Sequence, residues 1–246
     1  MKRRLLLPFA LVCLFPAGAF AYRPFVSTDA AVADVHEIEI ELGTFNLERH
    51  RGRNNFIVPS VVVNYGFLPR IEAVAEFVVR EDARDRARVG DAALSLKAVV
   101  REGVLQEKEG PSLALEAGPL LPGGAADERH AGFKGLAILS GSLAPLIWHV
   151  NLGGGVNRQS RGFLDWGVIG EWPLNPDFRL AAEINGESVS HRVGAASGLI
   201  GVIWKAPWKN LFFDAGVRRG IAGTAPSWSF TAGVTVGFSF TSSEKK

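Results

Sequence analysis

The ionisable residues of this chain recur at even spacings. Glu37, Glu39 and Glu41 stand two apart, while Glu72, Glu76 and Arg80, then Lys97 and Arg101, stand four apart. Arg179 and Glu183, and Asp214 and Arg218, repeat the interval of four, and Glu116, His149, Asp165 and Glu171 hold the same phase of their own segments. On an extended strand, even spacing puts side chains on one face. A face so rich in charge can line a hydrated path that sorts solutes by size and charge. It can equally close on itself through cross-strand ion pairs, with Glu76–Lys97 and Glu171–Arg179 as partners across hairpins.

Bond-breaking chemistry has less to build on. An esterase needs a serine, a histidine and an orienting acid or amide brought together. His149 and Asn151 share a strand face, and Ser190-His191 lies between strands, but the sequence supplies neither with an evident third partner. His36, His50 and His130 are scattered without metal-ligand spacing, so no metal and no cofactor is expected. Gly153-Gly-Gly155 lacks the lysine and the following helix of a phosphate loop; close strand contact accounts for it. No catalytic residue is assigned.

The elements that carry these residues are strands. From Trp228 to Phe240 large apolar residues alternate with Ser, Thr and Gly without a slip, the period-two signature of a strand. The run exceeds the roughly 9–11 residues that a tilted strand needs to cross a bilayer. Similar segments recur about every 15–20 residues, separated by turn signals. They fall near 35–47, 55–66, 71–81, 90–101, 112–120, 134–143, 148–158, 163–172, 178–187, 193–204, 210–219 and 227–240. Short proline-bearing connections (Phe67-Leu-Pro-Arg70, Ala144-Pro-Leu-Ile147, Pro173 to Asp177, Ala206-Pro-Trp-Lys209) alternate with longer polar ones. That is the two-rim pattern of an outer-membrane barrel. The link Arg101 to Pro111 is too long for the short rim: either its strands run on past the membrane or the register fails there. Trp148, Trp172, Trp204 and Trp208 gather near short-rim turns, where an aromatic girdle would meet lipid headgroups; core tryptophans of a soluble sandwich are the alternative.

The chain opens with Met1-Lys-Arg-Arg, an apolar stretch from Leu5 to Phe15 and the small-x-small site Ala19-Phe-Ala21, which reads as a signal peptide over 1–21. Cys13 lies inside it, and Val12 fits a lipoprotein cleavage box poorly, so the mature chain is cysteine-free. Removing Lys2, Arg3 and Arg4 from the 27 basic residues leaves 24 against 25 acidic ones, a net of about −1. Nucleic-acid binding has no basis in such a balance. Basic residues do cluster between strands (His50, Arg51, Arg53, Arg84, Arg86, Arg88, Arg158, Arg161, Arg192, Arg218, Arg219). They suit solvated loops, or pairing with lipopolysaccharide phosphates through arginine forks.

Arg23-Pro-Phe-Val-Ser-Thr-Asp-Ala30, Glu37-Ile-Glu-Ile-Glu-Leu42, Tyr65-Gly-Phe-Leu-Pro-Arg-Ile-Glu72, Gly90-Asp-Ala-Ala-Leu-Ser-Leu-Lys97 and Leu113-Ala-Leu-Glu-Ala-Gly118 together resemble a bacterial outer-membrane transporter family. That family is associated with meta-pathway phenol degradation and related in architecture to hydrocarbon and fatty-acid uptake channels. The resemblance implies passive passage of small apolar or aromatic solutes. One departure is that Phe240 is followed by Thr-Ser-Ser-Glu-Lys-Lys, where such barrels usually end on an aromatic residue.

The expected fold is all-β: a closed antiparallel transmembrane barrel of about twelve strands, an up-and-down meander over 35–240, with a polar tail over 241–246. The rival is a periplasmic β-sandwich. The expected partners are outer-membrane lipid, lipopolysaccharide, the barrel-assembly machinery and a small solute of unknown identity. The expected role is a channel, against a non-conducting structural barrel or a lipid-modifying enzyme. Residues 22–34 carry Pro24 and no sustained alternation. They are either a plug folded back into the barrel mouth or a frayed terminus.

Overall fold

The computed structural model describes residues 23–50, 52–81, 87–124, 128–208 and 210–240. The expected signal peptide over 1–21 with Cys13, Tyr22 and the expected tail over 241–246 lie outside them. Twelve strands follow in order: β1 (Glu37–His50), β2 (Arg53–Leu68), β3 (Ile71–Glu81), β4 (Ala87–Arg101), β5 (Ser112–Leu120), β6 (Gly132–Leu143), β7 (Leu146–Val156), β8 (Gly162–Pro173), β9 (Phe178–Val189), β10 (Ala195–Lys205), β11 (Leu211–Gly223) and β12 (Trp228–Ser239). Each pairs antiparallel with its neighbours, and β1 closes on β12, from Glu37 opposite Ser239 to Arg49 opposite Trp228. Closure leaves no strand edge unpaired, the condition for a sheet surrounded by lipid.

Alternation decides which face is which. On β4, Ala93, Lys97 and Val99 are buried while Leu94, Leu96 and Val100 are exposed; on β12, Ser229 and Thr235 are buried while Trp228, Phe230 and Phe238 are exposed. The charged phase therefore faces the lumen and the apolar phase the outside. The reverse would set charge against lipid at about 2–4 kcal/mol per basic residue near midplane.

One rim carries the start of β1, the end of β12 and the short turns. Leu143 pairs with Leu146 in the β6–β7 turn, and in the β8–β9 turn Asn175 Oδ1 accepts the backbone N–H groups of Asp177 and Phe178, both at 2.9 Å. Asparagine is favoured there because its side chain closes the turn. Near this rim the outward Trp204 stacks between Phe178 and Phe213, at centroid distances of 6.0 and 5.5 Å. Trp172 and Trp208 are exposed beside it, and the Trp148 ring lies over Gly141. The outward Trp166 and Trp228 sit toward the opposite, long-loop rim, where the Arg219 guanidinium lies 4.4 Å from the Trp228 ring centroid.

The long link on the terminal rim does not continue its strands, which end at Arg101 and resume at Ser112, and the β4–β5 register shifts between Val99 and Arg101 just before it. It folds into a 3-10 turn, Val104–Gln106, where the Leu105 N–H donates to Ser112 Oγ at 3.1 Å. Gln106 Nε2 reaches the carbonyl of Ala30 at 3.0 Å. The extra residues are used to reach inward.

Candidate functional site

The lumen is filled at one end and hollow at the other. Residues 23–34 run inside the barrel from the wall near β11, β12 and β2, past β9 and β7, to β3. Arg23 donates to Ser60 Oγ and Thr231 Oγ1, each at 2.8 Å, and its Nε lies 3.5 Å from Asp214. Phe25 packs on Ala181, Ile203 and Phe212. The backbone N–H groups of Val26 and Ser27 donate to Glu183, at 3.2 and 2.8 Å. Asn151 accepts from the Thr28 N–H at 2.9 Å and donates to its carbonyl at 2.7 Å. Ser140 Oγ accepts from Ala30 N–H at 2.9 Å, and Glu72 from Ala33 N–H at 2.7 Å.

Several of the charges in this half are paired. Lys97 Nζ lies 3.3 Å from Glu72 and 3.5 Å from Asp29. The expected Glu76–Lys97 pair is thus not the one formed, because the register sets Glu72 opposite Lys97 and Glu76 opposite Ala93. Arg179 does pair with Glu171, at 2.8 Å. Glu37 accepts from Asn210 Nδ2, and Glu41 from Asn64 Nδ2, each at 3.1 Å. Glu39 is buried on the same face.

Toward the long-loop rim a cavity of about 700 Å³ opens, its base formed by Arg23–Ser27 and its wall including Lys134, Arg158, Phe163, Asp165, Asn185, Glu187 and Arg218. Arg218 pairs with Glu183 and donates to Asn185 Oδ1 at 2.9 Å and Ser197 Oγ at 3.0 Å. Lys134 pairs with Asp165. A smaller space of about 190 Å³ lies between the inner segment and the β1–β6 wall, lined by Glu76 and Glu116 among others; Ser95 Oγ donates to Glu116.

Two of the expected lumen residues lie at the rims. Arg80 is exposed and pairs with Asp91 near the long-loop rim. Arg101 follows an irregularity in the β4–β5 pairing, is exposed and lies over Gly110 at the terminal rim. The loop arginines divide too. Arg158 turns inward and donates to the carbonyls of Leu121, at 2.7 Å, and Ala92, so it is not available to the outer surface. In the β5–β6 connection Glu128 accepts the Asp91 N–H. Burial, and then the Asp91 charge, push its carboxyl above the ordinary glutamate range.

His149 has the third partner that the sequence left unassigned. Its Nδ1 lies 2.8 Å from Ser140 Oγ and its Nε2 3.4 Å from Glu171. All three side chains are buried, and Ser140 Oγ already accepts a bond from the Ala30 backbone. A nucleophile needs an open side for its electrophile; this hydroxyl is turned to the inner segment, so the trio works as a support. Ser140 shares the inward phase of Lys134, Leu136 and Ile138, a signal by which it could have been found. Arg23 and Asp29 sit outside any strand, and no period marks them. Among the described residues no cluster of His, Cys, Asp and Glu could hold a metal ion.

No family model matches the chain, and no curated protein matches it. Solved structures do. An outer membrane channel from Pseudomonas putida F1 aligns with a TM-score of 0.54 at 14% identity, over 85% of this chain and 97% of that one. The NanC porin aligns with a TM-score of 0.59 at 10% identity, over 81% of this chain and 98% of that one. The fold is that of outer-membrane β-barrels.

Proposed function

We propose that the protein is a channel of a Gram-negative outer membrane, passing small solutes passively. The observation that carries this is a closed barrel with an apolar outer face and a charged lumen that widens to a cavity of about 700 Å³ on the long-loop side. The short-turn rim is then periplasmic and the long-loop rim extracellular. The porin and channel among the structural neighbours support the same reading. The solute class implied by the family resemblance, small and apolar or aromatic, is part of the proposal; the cavity is lined by Phe163 as well as by Asn185 and Arg218, which suits an aromatic ring carrying a polar group. Lipopolysaccharide would meet the loop rim at residues such as Arg192 and Arg219, and the barrel-assembly machinery would insert the chain.

Cell fractionation and reconstitution test this. The protein should require detergent for extraction, and liposomes containing it should admit small solutes while excluding larger ones. Recovery in the soluble periplasmic fraction would end the barrel reading. Intact vesicles with no solute entry and no ion current, from the full chain and from a chain with its lumen cleared, would favour a purely structural barrel.

A further inference from the structure

We propose that Arg23–Asp34 is a tethered plug that sets the conductance of the pore, seated in a groove that reads its peptide backbone. The proposal rests on the channel reading above. Four observations support it. The segment touches wall residues of every strand: beyond the bonds already given, Ala30 packs with Ala114 of β5, Ser27 faces Gly167 of β8, Pro24 faces Gly201 of β10, and Asp29 pairs with Lys97 of β4. Its backbone donors meet side-chain acceptors on four strands, Glu183, Asn151, Ser140 and Glu72. Buried carboxylates and amides need such partners, and the segment supplies them where a water-filled lumen would supply water.

The third observation is that the wall makes room. A Cβ built on Gly167 would collide with Ser27, and one built on Gly43 or Gly233 would meet the Arg23 guanidinium. Fourth, the segment is braced from beneath, where Gln106 holds the Ala30 carbonyl. A frayed terminus has none of these. Most of the hydrogen bonds are to backbone, so they fix the segment's path without demanding particular side chains. Side chains add Phe25 on Ala181, Ile203 and Phe212, with Arg23 on Asp214 and Asp29 on Lys97 setting register at the start and the middle of the segment.

A groove of this kind should accept its own segment as a separate peptide. The experiment compares three mature chains, all checked for heat-modifiable migration: the full chain, a deletion of residues 22–33, and Gly167→Leu. The last displaces Ser27 without touching the inner segment's sequence, and it stands in if the deletion folds poorly. Single-channel current in planar bilayers should rise several-fold in both variants. A fluorescent synthetic peptide of residues 22–34 should bind the deleted barrel in detergent and return its current to the full-chain level. The same peptide carrying Arg23→Glu and Asp29→Lys should do neither. Equal currents in all three chains, with no peptide bound, would overturn the plug and leave the channel standing. Silent barrels that still bind the peptide in its charge-dependent way would uphold the seat and overturn the channel.

Discussion

The two halves of the lumen are built from the same residue types and do different work. In the terminal half, Glu72 and Asp214 are buried against Lys97 and Arg23, and Glu183 takes backbone N–H groups of the inner segment while pairing with Arg218 of the cavity wall. In the long-loop half, Lys134, Asp165 and Glu187 stand around an open cavity. A charged wall is therefore not by itself a pore. Whether an inner segment satisfies the charges or water does decides whether the space is packed or permeable. Buried charge is costly unless paired and hydrogen-bonded, which explains why Glu72, Glu183 and Asp214 each face a cation or backbone N–H groups where the lumen is packed.

The contrast should break most visibly at Lys97. Lys97→Ala leaves Glu72 and Asp29 buried without their cation, a loss of about 3–5 kcal/mol for one partner of a buried pair. Urea unfolding of the reconstituted barrel should shift accordingly. An unchanged midpoint would mean the terminal half is wetter than its geometry implies. Glu183→Ala comes next. It strips two backbone donors and Arg218 of their acceptor, at roughly 1–3 kcal/mol, while Asn185 and Ser197 retain part of the Arg218 contact.

In the open half, Glu187→Gln should leave stability within about 0.5 kcal/mol, the usual range for a solvent-facing change. It should move the reversal potential under a salt gradient toward anions. A stability loss as large as that of Glu183→Ala would erase the distinction between the halves.

The smallest effect lies in the β5–β6 connection. Glu128 has a folded pKa above its unfolded one, raised by burial and by Asp91. The folded loop therefore binds the proton more tightly than the unfolded chain. Docking of the loop should be strongest below the unfolded pKa and weaken as pH rises through the folded value. Amide protection at Gly123 and Asp91, taken relative to the intrinsic exchange rate at each pH and greater at pH 5 than at pH 8, would register this, and Glu128→Gln should flatten the difference.

Strand positions were written plainly in the sequence, because an apolar outer face and a polar inner one impose a period of two on every segment. The predicted 71–81 and 112–120 coincide with β3 and β5, and the glycine-blurred 193–204 is β10 displaced at each end by a residue or two. Pairing across the lumen was not legible. The partner of Lys97 depends on a register that hydrophobic alternation fixes only modulo two. Arg158 and the link after Arg101 turn inward for contacts that are far away in sequence. The inner segment has no repeating pattern, since its path is set by acceptors on the wall and not by its own side chains.

The outward, packed and open surfaces can be separated in one measurement. Cys13 is the one cysteine of the sequence, so in a chain begun at Tyr22 single substitutions report cleanly: Leu152→Cys on the outer face, Asn151→Cys beneath the inner segment and Glu187→Cys at the cavity. In proteoliposomes treated with a membrane-impermeant thiol reagent, a lipid-embedded barrel with one filled and one open half predicts labelling at 187 alone. Leu152 should react only with a lipid-soluble maleimide, and Asn151 only after deletion of residues 22–33. Labelling of Leu152→Cys by the impermeant reagent at the rate of Glu187→Cys would contradict it, placing water where lipid is required.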